Sequence, residues 1–164
     1  MSDSRLHAKF LRAEELGVRL EIVGGLPIWE AHPVYKHQKA VDVIRATIKP
    51  MEGNECAGVH AADIYISFPD GSLKRSDISI FCREPDEEEE AVRLVPEAVI
   101  EVISRGYEAK DIDIAPQFYL GQGVKDIVIF NPYTLEVTHI RHEHTARYAS
   151  PIDIELLCGC RCTV

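Results

Sequence analysis

Apolar positions along the chain fall into short blocks with distinct spacings. In VRLEIVGGLPIWE (18–30) apolar stretches flank Gly24-Gly25, which predicts a hairpin. From Pro33 to Lys49 the residues Ala40, Val41, Val43, Ile44 and Ile48 recur at three- and four-residue spacing, predicting a helix with one buried stripe that Pro50 closes. CAGVHAADIYISF (56–68) and RSDISIFC (75–82), either side of the turn Pro69-Asp70-Gly71-Ser72, predict two strands. VPEAVIEVIS (95–104) is a β-branched run short enough for a buried strand, and KDIVIFNP (125–132) is another. Between them, residues 107–122 read as a helix ending near Gly121 and Gly123, with Pro116 kinking it or lying in its first turn. Residues 134–149 and 152–163 alternate enough for two or three further strands.

This order predicts an α/β fold: a central mixed β-sheet flanked by two main helices, with extra strands at both ends. Residues 1–16 are polar and read as a frayed or helical lead-in, leaving 17–164 as one domain. With 164 residues, 46% of them hydrophobic, the chain can bury a core. Its 18 Lys and Arg against 27 Asp and Glu give −9, which excludes a strongly basic protein that coats nucleic acid by charge alone. No apolar run approaches the roughly 20 residues of a membrane span, and MSDSRLHAKF at the N-terminus shows no secretory signal. The expected setting is cytoplasmic, away from the membrane, with the five cysteines as reduced thiols.

Glu101 is the most informative polar residue. Its own strand face carries Val99 and Ile103, and the other carries Ile100 and Val102, so both faces read as covered. A carboxylate there is costly unless it is paired, hydrogen-bonded or bound to a metal. The bland alternative is an ion pair with Lys110 or Lys125, or a strand end open to water. Asp77 opens the predicted strand Asp77-Ile78-Ser79-Ile80-Phe81, where an Asp is ordinarily a turn residue. If the two strands are neighbours, the carboxylates converge, and such hard oxygen donors suit Mg²⁺ or Mn²⁺.

At this pair the chain resembles the Uma-type (Uma-two) restriction endonuclease family of the PD-(D/E)XK nuclease superfamily. The resemblance runs through RLEIVGGLPIWE (19–30), YKHQKAV (35–41), DIYISFPDGSLKRSDISIF (63–81), VPEAVIEVIS (95–104) and DIAPQFYLGQGVKDIVIFNP (113–132). It implies a restriction-endonuclease-like fold and metal-dependent hydrolysis of phosphodiester bonds in DNA. Asp77 and Glu101 would be the catalytic, metal-binding acids, Glu21 an auxiliary acid near the metal, and His37 a contact to phosphate or water. Two positions depart from the family pattern. Ser76 stands where the pattern has Pro, and Ala115 where the helix carries its Lys, which leaves Lys110 as the nearest cation for that role. The alternatives are a catalytically degenerate nuclease fold that binds nucleic acid or a partner, and a structural protein whose terminal strands build a homodimer.

Other patterns read more plainly. Cys158, Cys160 and Cys162 alternate and share one strand face; zinc sites usually pair C-x₂-C motifs, and Cys56 and Cys82 form none, so core packing is favoured. His139, His142 and His144 read as solvated edge residues, and residues 85–90 as a solvated acidic loop. Phe118 and Tyr119 read as core aromatics, and packing is favoured for Trp29 and Tyr107 as well.

Overall fold

The computed structural model describes residues 3–29, 32–87, 91–106 and 110–164; the side chains of residues 3–7, 14, 29, 110 and 111 lie outside that description. The expectations for Trp29, Tyr107, the side chain of Lys110 and the last three residues of the acidic loop therefore fall outside the described residues.

The predicted hairpin forms as β1 (Leu20–Val23) and β2 (Leu26–Trp29), with Gly24 and Gly25 both at positive φ, as a tight two-residue turn requires. The first buried stripe becomes α2 (Tyr35–Arg45), which turns Val41 and Ile44 inward. Pro50 lies beyond it in a two-residue strand, β3 (Lys49–Pro50). The strand pair forms as β4 (Val59–Ser67) and β5 (Leu73–Phe81), and the two buried runs as β6 (Ala98–Val102) and β7 (Asp126–Phe130). Pro116 does not kink a helix: a single π-helical turn at Lys110–Ile114 leads into α3 (Ala115–Gly121), whose first turn holds the proline. The C-terminal third carries four strands rather than two or three: β8 (Glu136–Arg141), β9 (His144–Ala149), β10 (Asp153–Glu155) and β11 (Cys160–Thr163).

These elements make a central mixed sheet with the path β2-β1-β5-β6-β7-β8-β9, in which β4 also pairs with β5. The pairings are antiparallel except β6 with β7, which are parallel and joined through α3. Burial on both faces explains why β6 and β7 are apolar apart from Glu101 and Asp126. On one face Ile78, Ile80, Ile100 and Val102 pack with Val41 and Ile44 of α2. On the other, Val99, Ile103, Ile127 and Ile129 pack with Ala115 and Tyr119 of α3. The polar lead-in is helical, α1 (Asp3–Glu15), and buries Phe10 against Ile22, Tyr65 and Leu73.

A second sheet, β10-β11-β3, was not anticipated. It joins the α2-side core through Ile154, Cys160 and Cys162. Here the expectation of five reduced thiols also fails, because Cys56 and Cys82 are joined by a disulfide and Cys158, Cys160 and Cys162 are free. The cause is the β4–β5 ladder. Beyond its last pair, Val59 opposite Phe81, the Ala57 amide bonds the Cys82 carbonyl at 2.9 Å, which brings Cys56 against Cys82.

Candidate active site

Strand β5 creates the site by changing neighbours. One of its edges pairs with β4 along its length, from Leu73 opposite Ser67 to Phe81 opposite Val59. The other edge is shared: β6 holds Ile78, Ser79 and Ile80, while β1 meets Leu73. A fork therefore opens between β1 and β6. The register Ile78–Ile100, continued by one residue on each strand, sets Asp77 opposite Glu101 at its mouth.

Side-chain alternation breaks at the same place. The hydroxyls of Ser76 and Ser79 lie 2.6 Å apart, although residues three apart on a regular strand face opposite ways. Opposite the break on β4, Asp63 has a positive φ of 59°. Its carboxylate accepts hydrogen bonds from Arg19 at 2.7 Å and Arg75 at 2.8 and 3.0 Å. Burial alone would raise the Asp63 carboxyl, but the two guanidinium groups outweigh it and hold the group below its usual range.

Asp77 thus lies mid-strand and not at a strand start, since β5 already begins at Leu73 straight after the turn. Its Oδ2 accepts the backbone amide of Val102 at 2.7 Å, satisfying a donor that the parting strands would otherwise orphan. Its Oδ1 lies 3.2 Å from Nε2 of His37. His37 comes from the first turn of α2 and has Nδ1 2.9 Å from Oε1 of Gln38. The Asp77 side chain keeps 19% of its surface open.

Glu101 stands on the α3 side of the fork and is buried. The expected pair with Lys125 does not form, since Lys125 bonds Glu97 at 2.8 Å; the pair with Lys110 lies outside the described residues, and Glu101 Oε1 accepts the Tyr119 hydroxyl at 2.7 Å. Burial, followed by the negative charges of Glu101 and Glu21, keeps the Tyr119 phenol well above its ordinary value, so it remains a donor; a hydrogen bond from Ser76 acts in the opposite sense. Tyr119 is therefore both a core aromatic and a polar contact.

The reading from sequence passed over Lys74. This is the one buried Lys or Arg among the described residues. Its Nζ lies 3.0 Å from Glu21 Oε2, both side chains being 2% exposed, and sits 4.9 Å from the Tyr119 ring centroid and 5.5 Å from that of Phe118. A charged residue between Leu73 and the buried Ser76 was the available signal, but Lys beside Arg75 on a strand start reads as solvated. Glu21, Asp77, Glu101 and Lys74 thus come from three strands around one fork, with His37 approaching from α2 and Tyr119 from α3. Ala115, where the family's helix Lys is expected, is buried in the α3 core.

The donor set at the fork is entirely carboxylate oxygen, the chemistry that suits Mg²⁺ or Mn²⁺. Among the described residues these acids do not form a group of three ligand atoms within 4.8 Å of one another; only Cys56, Cys158 and Cys160 do. An ion here would thus be held by Asp77 and Glu101 and completed by water or substrate oxygens. Of the three histidines near the C-terminus, His139 is not a solvated edge residue. It is buried, with Nε2 2.6 Å from Oδ1 of the fully buried Asp126, while His142 and His144 are exposed. No helix is long and apolar enough to cross a membrane among the described residues.

Comparison with known proteins agrees with this architecture. A crystal structure of a putative nuclease of the DUF820 group from Anabaena variabilis superposes with a TM-score of 0.66 at 21% identity, covering 88% of this chain and 84% of that one. That likeness shows a shared fold. No curated protein matches the chain. The family model Uma2, whose description is "Putative restriction endonuclease", matches residues 7–154. With most of its length inside that model, the chain belongs to the Uma2 family.

Proposed function

We propose that this protein is a metal-dependent endonuclease that hydrolyses phosphodiester bonds in DNA, on a restriction-endonuclease-like fold. The observation that carries the reading is the fork of β5, which sets Asp77 across from Glu101 and puts the Glu21–Lys74 pair beside them. Asp77 and Glu101 would hold the Mg²⁺ or Mn²⁺. Such an ion, when bound, polarises the phosphodiester and lowers the pKa of a coordinated water. The chain's own groups do the rest. The Val102 amide and His37 fix the Asp77 carboxylate, and Tyr119 fixes that of Glu101. Lys74 places a positive charge at the fork, in the role the family assigns to its helix lysine. Lys110 remains the other cation for that role.

The test is nicking of supercoiled plasmid by the pure protein with Mg²⁺, Mn²⁺ or a chelator. Cleavage is expected only with metal, and Asp77→Asn and Glu101→Gln should each lower it at least about a hundredfold. Undiminished cleavage in both variants would remove the assignment.

One observation favours a second reading, a nuclease fold that binds nucleic acid without cutting it. Ala115 occupies the lysine position of the helix, and both acids are already engaged by protein donors. Calorimetric titration with Mn²⁺ separates the two. A single site abolished by Asp77→Asn supports hydrolysis, whereas no uptake at millimolar metal supports the degenerate fold.

A further inference from the structure

The chain carries a second cluster of ligand-bearing side chains, away from the fork. The sulfurs of Cys56, Cys158 and Cys160 lie within 4.8 Å of one another, with Cys160 Sγ 3.5 Å from Cys56 Sγ. Cys82, bonded to Cys56, belongs to the same knot and has its Sγ 3.8 Å from the carbonyl oxygen of Cys158. Three sulfurs therefore lie together, and Cys82 brings a fourth through its bond to Cys56, from three separate stretches of chain in all. A tetrahedral zinc–thiolate centre, with bonds of about 2.3 Å, sets its sulfurs about 3.8 Å apart. We propose that the reduced chain binds one Zn²⁺ through Cys56, Cys82, Cys158 and Cys160.

The backbone around the knot is shaped for close approach. Gly159, between two of the ligands, has φ +101°, and a Cβ there would stand 2.5 Å from Asn54 Oδ1. Gly58, two residues after Cys56, has φ +65°, and its Cβ would meet the Pro50 ring at 3.0 Å and Cys160 Sγ at 3.4 Å. Main-chain bonds from Ala57 to Cys82 (2.9 Å) and from Met51 to Gly159 (2.8 Å) tie the ligand segments together. Four protein ligands leave no open position, so the site is structural. It would fasten the β10-β11-β3 sheet to the end of β5. The disulfide and the metal use the same two sulfurs, so they are alternative states of one site. A phosphine with water converts the Cys56–Cys82 bond into two thiols, the phosphine leaving as its oxide, and binding of the ion then displaces the thiol protons. The inference is independent of the nuclease reading.

The test uses the full chain, reduced with a phosphine under argon and freed of reductant and metal. Titration with Co²⁺ should give the intense visible bands of a tetrahedral thiolate site, saturating at one equivalent, and one equivalent of Zn²⁺ should abolish them. Zn²⁺ should also raise the thermal midpoint of the reduced protein. Cys162→Ala, which changes a cysteine outside the knot, should keep the bands. Cys158→Ser and Cys82→Ser should each lose stoichiometric binding. Absence of the bands in the reduced wild-type protein would overturn the proposal without any variant having to fold. Unchanged bands in the Cys158→Ser/Cys160→Ser double variant would overturn it too.

Discussion

The Oδ2 of Asp77 accepts the backbone amide of Val102, the residue after Glu101, at 2.7 Å. This bond fastens one acid of the site to the strand that carries the other. Its two partners separate the catalytic from the structural use of the side chain. Asp77→Asn keeps a carbonyl oxygen for the Val102 amide and should leave the urea midpoint nearly unchanged while metal-dependent nicking is lost. Asp77→Leu strands the amide and should cost a further 1–3 kcal/mol, roughly. Equal loss of stability in the two variants would show that the bond does not hold the strand.

Lys74 and Glu21 form a buried ion pair with both side chains out of water. Removing one member leaves a buried charge, so Lys74→Met should destabilise the protein by about 3–5 kcal/mol in urea unfolding. Adding Glu21→Gln should recover most of that stability. Cleavage should not return with it if Lys74 supplies charge at the fork. A double variant that regains stability and cuts normally would exclude Lys74 from the chemistry and leave Lys110 as the cation.

The Tyr119 hydroxyl donates to a carboxylate in a buried setting, so Tyr119→Phe should cost about 1.5–3 kcal/mol. Its raised phenol value has a further consequence. The folded state holds the proton beyond the pH at which an unfolded tyrosine ionises, so this contribution is complete below about pH 10 and declines as the pH rises further. Alkaline unfolding should thus be less steep in Tyr119→Phe than in the wild type, measured by circular dichroism across the high-pH limb.

Asp126 anchors the other end of the sheet. Burial works to raise its carboxyl, but hydrogen bonds from His139, Arg141 and the Leu157 amide hold it below the ordinary range. A group depressed in the folded state contributes above its unfolded value, about 3.9, and loses that contribution as the pH falls through the lower folded value. Asp126→Asn should therefore cost about 3 kcal/mol at neutral pH and much less near pH 2. Urea midpoints at the two pH values check the sign.

Much of the fold is legible in local pattern. The two covered runs around Val99–Ile103 and Ile127–Ile129 read as buried strands and the stripe through Val41 and Ile44 as a helix face, and each forms as expected. The family resemblance likewise picks out Asp77, Glu101, Glu21 and His37, and the fork gathers all of them around β5. Other features were not legible. Lys74 looks like one of two adjacent surface cations until β1 covers it. His139 looks solvated until the β7–β8 pairing lays it against Asp126.

The amino-acid order by itself determined most of the strands and helices, because periodicity and turn residues act over a few neighbouring positions. It also placed a carboxylate at position 101 between apolar neighbours on both strand faces. Only the tertiary structure decided what that carboxylate meets, how Asp77 turns into the fork, and that Cys56 bonds Cys82 beside Cys158 and Cys160. Those contacts depend on which strands lie side by side, and that is set by packing between residues far apart in the chain.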